Sequence, residues 1–366
     1  MSTSWWACVP LVGLIACAGS PPTNAPSPAQ AATTAGAFSP HRVAKPTPPN
    51  ALLVLAKRDA TLAIVDPTTL EVLARIPVGS DPHEVVTSAD GKTAYVTNYG
   101  GGTYHSLAVV DLTQQIALPP VDLGALRGPH GIAAVGGRIW FTAEAAKAIG
   151  SYDPASKSVD WVLGTGQNHT HMIFVFEDMN RILTTNVSSA TVSLLERGAA
   201  RRSSAADPKK NDGSPGIDWD ETVIPVGQGA EGFDVTRDGT EAWVANAGDG
   251  TISVIDIGAR SVKATVQANV RGANRLKFSV DGKRVFVSTL RGPDVVVFDA
   301  ATRAEVKRIP VGHGAAGLLM EPSGARVFVA CSPDDSVAVI DAKTMEVVGR
   351  IDAGKNPDGL AWAARR

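Results

Sequence analysis

The feature that most limits what this chain can fold into is an internal repeat. From residue 51 a unit of about 42 residues recurs: a short apolar strand, an Asp-Gly turn, a second strand, a loop, a third strand closing on Asp, and a fourth. Ser88-Ala89-Asp90-Gly91-Lys92-Thr93-Ala94-Tyr95-Val96-Thr97-Asn98 is matched by Thr236-Arg237-Asp238-Gly239-Thr240-Glu241-Ala242-Trp243-Val244-Ala245-Asn246 and by Val280-Asp281-Gly282-Lys283-Arg284-Val285-Phe286-Val287. Glycine after Asp suits the hairpin because it takes a positive φ at no steric cost. The third strands, residues 107–111, 252–256, 295–299 and 337–341, are nearly unbroken apolar runs. Such runs imply sheets covered on both faces, as stacked blades are.

First strands are expected to begin near Pro82, Pro129, Thr170, Ala230, Ala273, Ala315 and Pro357. The last of these has no blade after it, and the first blade, from Leu52, lacks a first strand. The sequence therefore predicts an all-β chain, a seven-bladed β-propeller over residues 51–366. Its C-terminal strand would complete the N-terminal blade and hide the sheet edges, as a velcro closure.

Tyr95-Val96-Thr97-Asn98, with Ile76-Pro77-Val78-Gly79 and Ile309-Pro310-Val311-Gly312 as fourth-strand endings, resembles the YVTN-repeat β-propeller family over nearly all of residues 51–366. The resemblance implies a bacterial extracytoplasmic propeller. It implies little about activity, because propellers host many.

With the first strands aligned, the position just before the apolar core reads His83, His130, His171, Glu231, Asn274, Ala316 and Asp358, at spacings of 47, 41, 60, 43, 42 and 42. First strands line the channel, so three consecutive blades would present His at one mouth and a fourth would present Glu. Imidazole is the commonest transition-metal ligand and a carboxylate completes a compact site. His83, His130, His171 and Glu231 are thus expected to hold a divalent cation, Zn, Fe, Mn or Cu, with His105 and His169 in reserve and His313 as a loop residue. Asn98, Asn186, Asn246, Asn274, Arg275, Arg291 and Asp358, near Tyr99, Glu144, Arg271 and Lys355, are the expected contacts for a small, anionic ligand at that mouth. The bland alternative is a polar funnel. Lactonase-type propellers, carotenoid-cleaving oxygenases and streptogramin-linearising lyases place functional centres on the same axis. A metal-dependent enzyme of lyase, lactonase or oxygenase type is the first expectation, and a non-catalytic binding or scaffold protein of the cell envelope the second.

The N-terminal apolar stretch is too short to span a bilayer and reads as a signal peptide over residues 1–17. Leu14-Ile15-Ala16-Cys17 resembles a lipobox, which would lipidate Cys17, while Ala16-Cys17-Ala18 also fits plain secretion. Residues 18–50, rich in Pro, Ala, Ser and Thr, read as a disordered tether. The expected membrane contact is only through a lipid anchor, and the expected state is a monomer. A net charge of −2 argues against a nucleic-acid partner. Of three cysteines only Cys331 lies in the repeats, so no disulfide framework is expected, and Cys331 reads as a small buried apolar residue. Residues 197–217 interrupt the fourth blade as an insertion on the opposite face.

Overall fold

A computed structural model describes residues 45–199, 217–270 and 272–366. Cys17, most of the tether, Arg271 and nearly all of the insertion lie outside the described residues. Within the compact unit Arg42–Arg366, each repeat folds into one antiparallel four-stranded sheet. Blade 1 contains β1 (Asn50–Ala56), β2 (Thr61–Val65) and β3 (Val72–Pro77), and blade 2 contains β4 (Pro82–Thr87), β5 (Thr93–Asn98), β6 (Ser106–Asp111) and β7 (Ile116–Asp122). Blade 3 contains β8 (Pro129–Val135), β9 (Arg138–Ala143), β10 (Ala148–Asp153) and β11 (Ser158–Gly164). Blade 4 contains β12 (Thr170–Val175), β13 (Arg181–Asn186), β14 (Thr191–Ala199) and β15 (Ile217–Pro225). Blade 5 contains β16 (Ala230–Val235), β17 (Glu241–Asn246), β18 (Thr251–Asp256) and β19 (Ser261–Val266). Blade 6 contains β20 (Ala273–Phe278), β21 (Arg284–Thr289), β22 (Asp294–Asp299) and β23 (Glu305–Pro310). Blade 7 contains β24 (Ala315–Met320), β25 (Arg326–Cys331), β26 (Ser336–Asp341) and β27 (Glu346–Ile351).

The last strand, β28 (Pro357–Ala364), pairs antiparallel with β1, from Asn50↔Ala364 to Ala56↔Pro357, and gives blade 1 its fourth strand. The innermost strands then touch in an unbroken ring, β28 to β4, β8, β12, β16, β20, β24 and back to β28. This is the expected seven-bladed propeller with its velcro closure. Residues 45–49 also belong to the folded body, because Thr47 is buried, donates to Leu112 O at 2.5 Å, and sits beside the amide of Gln115.

The core lies between blades. Leu52, Val54 and Ala63 of blade 1 pack against Phe328, Ala330 and Val337 of blade 7, and Tyr95, Leu107 and Val109 of blade 2 against Ile139 and Phe141 of blade 3. Each fully buried large side chain contributes about 1.5–3 kcal/mol by leaving water, so the stack resists opening at any seam. Cys331 is fully buried, and burial pushes its thiol pKa up, away from the reactive thiolate.

Candidate metal centre at the channel mouth

Every innermost strand carries a bulge at the same register. In β4 the pairing jumps from Pro82↔Asn98 to Val85↔Val96, and β8, β12, β16, β20, β24 and β28 do the same. A bulge breaks the strict up–down alternation and re-aims side chains, so the aligned position and the residue after it both turn toward the axis. The N–H freed by the bulge is satisfied from the second strand: Glu84 N bonds Thr97 Oγ1 at 3.0 Å, Gly131 N bonds Thr142 Oγ1 at 2.8 Å, and Met172 N bonds Thr185 Oγ1 at 3.2 Å. The same hydroxyls donate onward to the next blade, to His130 O at 2.9 Å, His171 O at 2.7 Å and Glu231 O at 2.6 Å. The Thr of the YVTN tetrapeptide thus fixes the backbone of the following blade's site residue.

Close approach of the strands needs glycine. A Cβ on Gly131 would sit 2.4 Å from His171 O, and one on Gly359 would sit 2.3 Å from His83 O. Between these small positions stand Glu84 and Arg275, which form an ion pair from blade 2 to blade 6 across the channel. The roomy part of the channel, about 380 Å³, begins at this pair and continues away from the histidines, lined by Val85, Ile132, Phe174 and Leu318 together with Thr87 and Lys277. The mouth is therefore a shallow polar cup floored by Glu84 and Arg275.

In the cup, His83, His130 and His171 form a column with ring centroids 4.6 Å and 3.9 Å apart. The group able to hold a metal ion is His130, Glu144 and His171, whose ligand atoms lie within 4.8 Å of one another. Glu144 enters from the turn after β9, and its Oε1 bonds His171 Nδ1 at 2.5 Å. His169 Nε2 lies 2.7 Å from Glu144 Oε2, and the Tyr99 hydroxyl also bonds this carboxylate. Nδ1 of His130 is buried with no partner. An orphaned imidazole nitrogen beside a buried carboxylate suits a cation, because that nitrogen has lost water without compensation.

The expected partners His83 and Glu231 are turned elsewhere. His83 Nε2 lies 2.9 Å from Lys57 Nζ and 3.2 Å from Asp81, and its Nδ1 is 3.6 Å from Asp358. Glu231 takes the second nitrogen of His171, with Oε2 2.8 Å from Nε2. Burial works against charge on His171, but Glu231 and Glu144 outweigh it and raise its pKa to about 9. Burial likewise works to raise Glu144, yet His169 and His171 hold it at about 2. Burial, followed by the neighbouring His171 and His83, pushes His130 well below its ordinary value and keeps it neutral, the form that binds metal. Burial first, then Glu144, raises Tyr99, whose hydroxyl stays protonated.

The remaining expected contacts are placed as follows. Asn98 gives its amide to Val78 O and Ser80 O, Asn186 to Thr191 and Ser193, and Asn246 to Thr251 and Ser253. All three are buried. Asn274 donates to Ala316 O of the next blade at 2.7 Å. Asp358 pairs with Lys57 at 3.2 Å. Arg275 pairs with Glu84, and Arg291 is exposed. His105 pairs with Asp122 at 2.8 Å and His313 with Asp334 at 3.1 Å, both on exposed loops. Lys57 and the part played by Glu144 were missed. Their signal was a second register: the residue after each second strand reads Lys57, Tyr99, Glu144, Val187, Ala247, Leu290 and Ser332. Its first three members surround the histidines.

No family model matches the sequence, and no curated protein does. Solved structures do. A functionally unknown protein from Desulfotomaculum acetoxidans DSM 771 superposes with a TM-score of 0.68 at 16% identity, over 87% of this chain and 100% of its own. A candidate 6-phosphogluconolactonase from Bacteroides fragilis NCTC 9343 gives 0.67 at 16% identity, over 86% and 97%. Hydrazine synthase of Kuenenia stuttgartiensis gives 0.60 at 15% identity, over 76% and 89%. Likenesses at 15–16% identity establish one thing about this chain, that it is a β-propeller.

Proposed function

We propose that this protein is an extracytoplasmic propeller of the YVTN-repeat kind that holds a divalent metal ion at the channel mouth and acts there on a small molecule. The observation that carries the reading is His130 Nδ1, buried without a partner, grouped with Glu144 and His171 so that their ligand atoms lie within 4.8 Å of one another. The charge around them agrees. Among the described residues, Asp81, Glu84, Glu144, Glu231 and Asp358 face Lys57, Arg275 and the charged His171, so carboxylates outnumber cations at the mouth. A metal held there would supply Lewis-acid polarisation of a substrate oxygen, the chemistry shared by lyase and lactonase reactions. Tyr99, in edge contact with His130 at 5.3 Å, holds its hydroxyl on the Glu144 carboxylate and would orient that ligand. The Glu84–Arg275 floor would keep a substrate from passing into the lower channel.

Chelator-treated protein titrated with Zn²⁺, Mn²⁺, Fe²⁺ and Cu²⁺ by calorimetry is expected to take up one equivalent of at least one of them. Failure with all four would leave the second reading, a non-catalytic binding or scaffold propeller. That reading has its own support: both nitrogens of His171 are already satisfied by Glu144 and Glu231. For localisation, we propose lipidation at Cys17. Metabolic labelling with palmitate is expected in the full chain and not in Cys17→Ser, and an unlabelled parent would favour plain secretion.

A further inference from the structure

Blade 3 departs from the repeat at a place far from the mouth. In the third strands, the last pair before the fourth-strand bulge is Ile64↔Ala74, Val254↔Ala264, Val297↔Lys307 and Val339↔Gly349 in blades 1, 5, 6 and 7. In blade 3 it is Ser151↔Trp161. A branched apolar residue has become Ser, and a position that elsewhere accepts Ala, Lys or Gly has become Trp. The bulge residue, Leu73, Lys263, Val306 or Val348 elsewhere, is here Asp160. The bulge turns its carboxylate onto the same face, where it accepts from Ser151 Oγ and Arg138 Nε, each at 2.5 Å.

Together these changes open a slot of about 470 Å³ between blades 3 and 4, within the range of small-molecule sites. Trp140, Trp161 and Trp219 line it, with centroids 5.5 Å and 5.3 Å apart in sequence along the wall. Trp140 gives its indole N–H to Val135 O at 3.1 Å. The indole N–H groups of Trp161 and Trp219 have no acceptor among the described residues, and neither does the guanidinium of Arg197, which sits at the slot's edge opposite Trp219 on β14. Packing alone does not call for Trp161, since four blades close without it.

We propose that this slot binds an acidic saccharide. A pyranose presents an apolar C–H face to an indole and a rim of hydroxyls to polar neighbours. The walls supply the indoles, while Asp160 and the free indole N–H groups supply an acceptor and donors. Two guanidinium groups against one carboxylate disfavour a cationic ligand and favour a uronate, whose carboxylate Arg197 can take in bidentate fashion. The site is separate from the channel mouth and independent of any metal there.

Trigalacturonate and its fully methyl-esterified, uncharged form are the probes, with binding read by calorimetry and by indole emission. Trigalacturonate is expected to bind saturably and at least about tenfold more tightly than the ester, the worth of one charged hydrogen-bonded contact. Arg197→Ala, at an exposed residue, should remove that preference. Trp161→Ala should abolish binding while the far-ultraviolet circular dichroism is kept, as the Ala and Gly at its register mates allow. No binding of trigalacturonate, equal binding of the two sugars, or an affinity unchanged in both variants would overturn the proposal.

Discussion

A chain ending at Gly354 is expected to yield no cooperatively folded protein. Truncation there removes β28, and with it every pairing on the inner edge of β1. It also takes Ala361 and Ala363 from the cluster of blades 1 and 2, and Leu360 and Trp362 from the cluster of blades 1 and 7. The loss of Leu360 alone is worth roughly 1.5–3 kcal/mol of apolar burial, and the partly buried Trp362 adds to it. A native domain holds only about 5–15 kcal/mol in total. The ring would open between β24 and β4, the inner strands that β28 separates, and β1 would present a bare apolar edge that invites aggregation. Thermal melts followed by near-ultraviolet circular dichroism test this. A sharp transition within a few degrees of the full chain would mean that closure is not what holds the blades together.

His130→Ala is expected to weaken metal binding by more than about 100-fold, beyond what losing an outer-shell partner of a ligand costs. The melting temperature should change little, because blade packing does not run through the cup. Glu144→Gln should weaken binding comparably, since the amide keeps the shape but loses the charge and one acceptor. Glu231→Gln should have the smaller effect, because Glu231 would reach a bound metal only through His171. His313→Ala, at an exposed loop pair with Asp334, should change neither property. Calorimetric affinities of the four variants rank the residues. A larger loss in Glu231→Gln than in Glu144→Gln would restore the originally expected carboxylate in place of the one the geometry favours.

The fold was legible because each repeat says the same thing. All seven inner strands begin at the residues expected from the alignment, from Pro82 to Pro357. The channel-facing register was legible for the same reason: a position that recurs in every blade must recur in space. Side-chain partnership was less so. Glu144 stands outside that register, on a turn, and only the second register formed by Lys57, Tyr99 and Glu144 brings it to the histidines. The asparagines at the second-strand ends looked available because their backbone reaches the mouth. Their amides instead cap loop carbonyls or bond hydroxyls within the blade, an outcome set by side-chain direction, which strand spacing alone leaves open. The pairing of His83 with Lys57 likewise joins neighbouring blades, and its approach to Asp358 exists only once β28 closes the ring.

The central claim is that His130, Glu144 and His171 hold a metal, and anomalous diffraction tests it most directly. Crystals of the protein grown with Zn²⁺ and measured at the zinc edge are expected to show one strong peak at the channel mouth. It should lie about 2.0–2.2 Å from a nitrogen of His130 and an oxygen of Glu144, with His171 as the third ligand once its bond to Glu144 gives way. Anomalous density only at exposed pairs such as His313 and Asp334, with His171 still bonded to Glu144 and Glu231 and nothing at His130, would contradict the account.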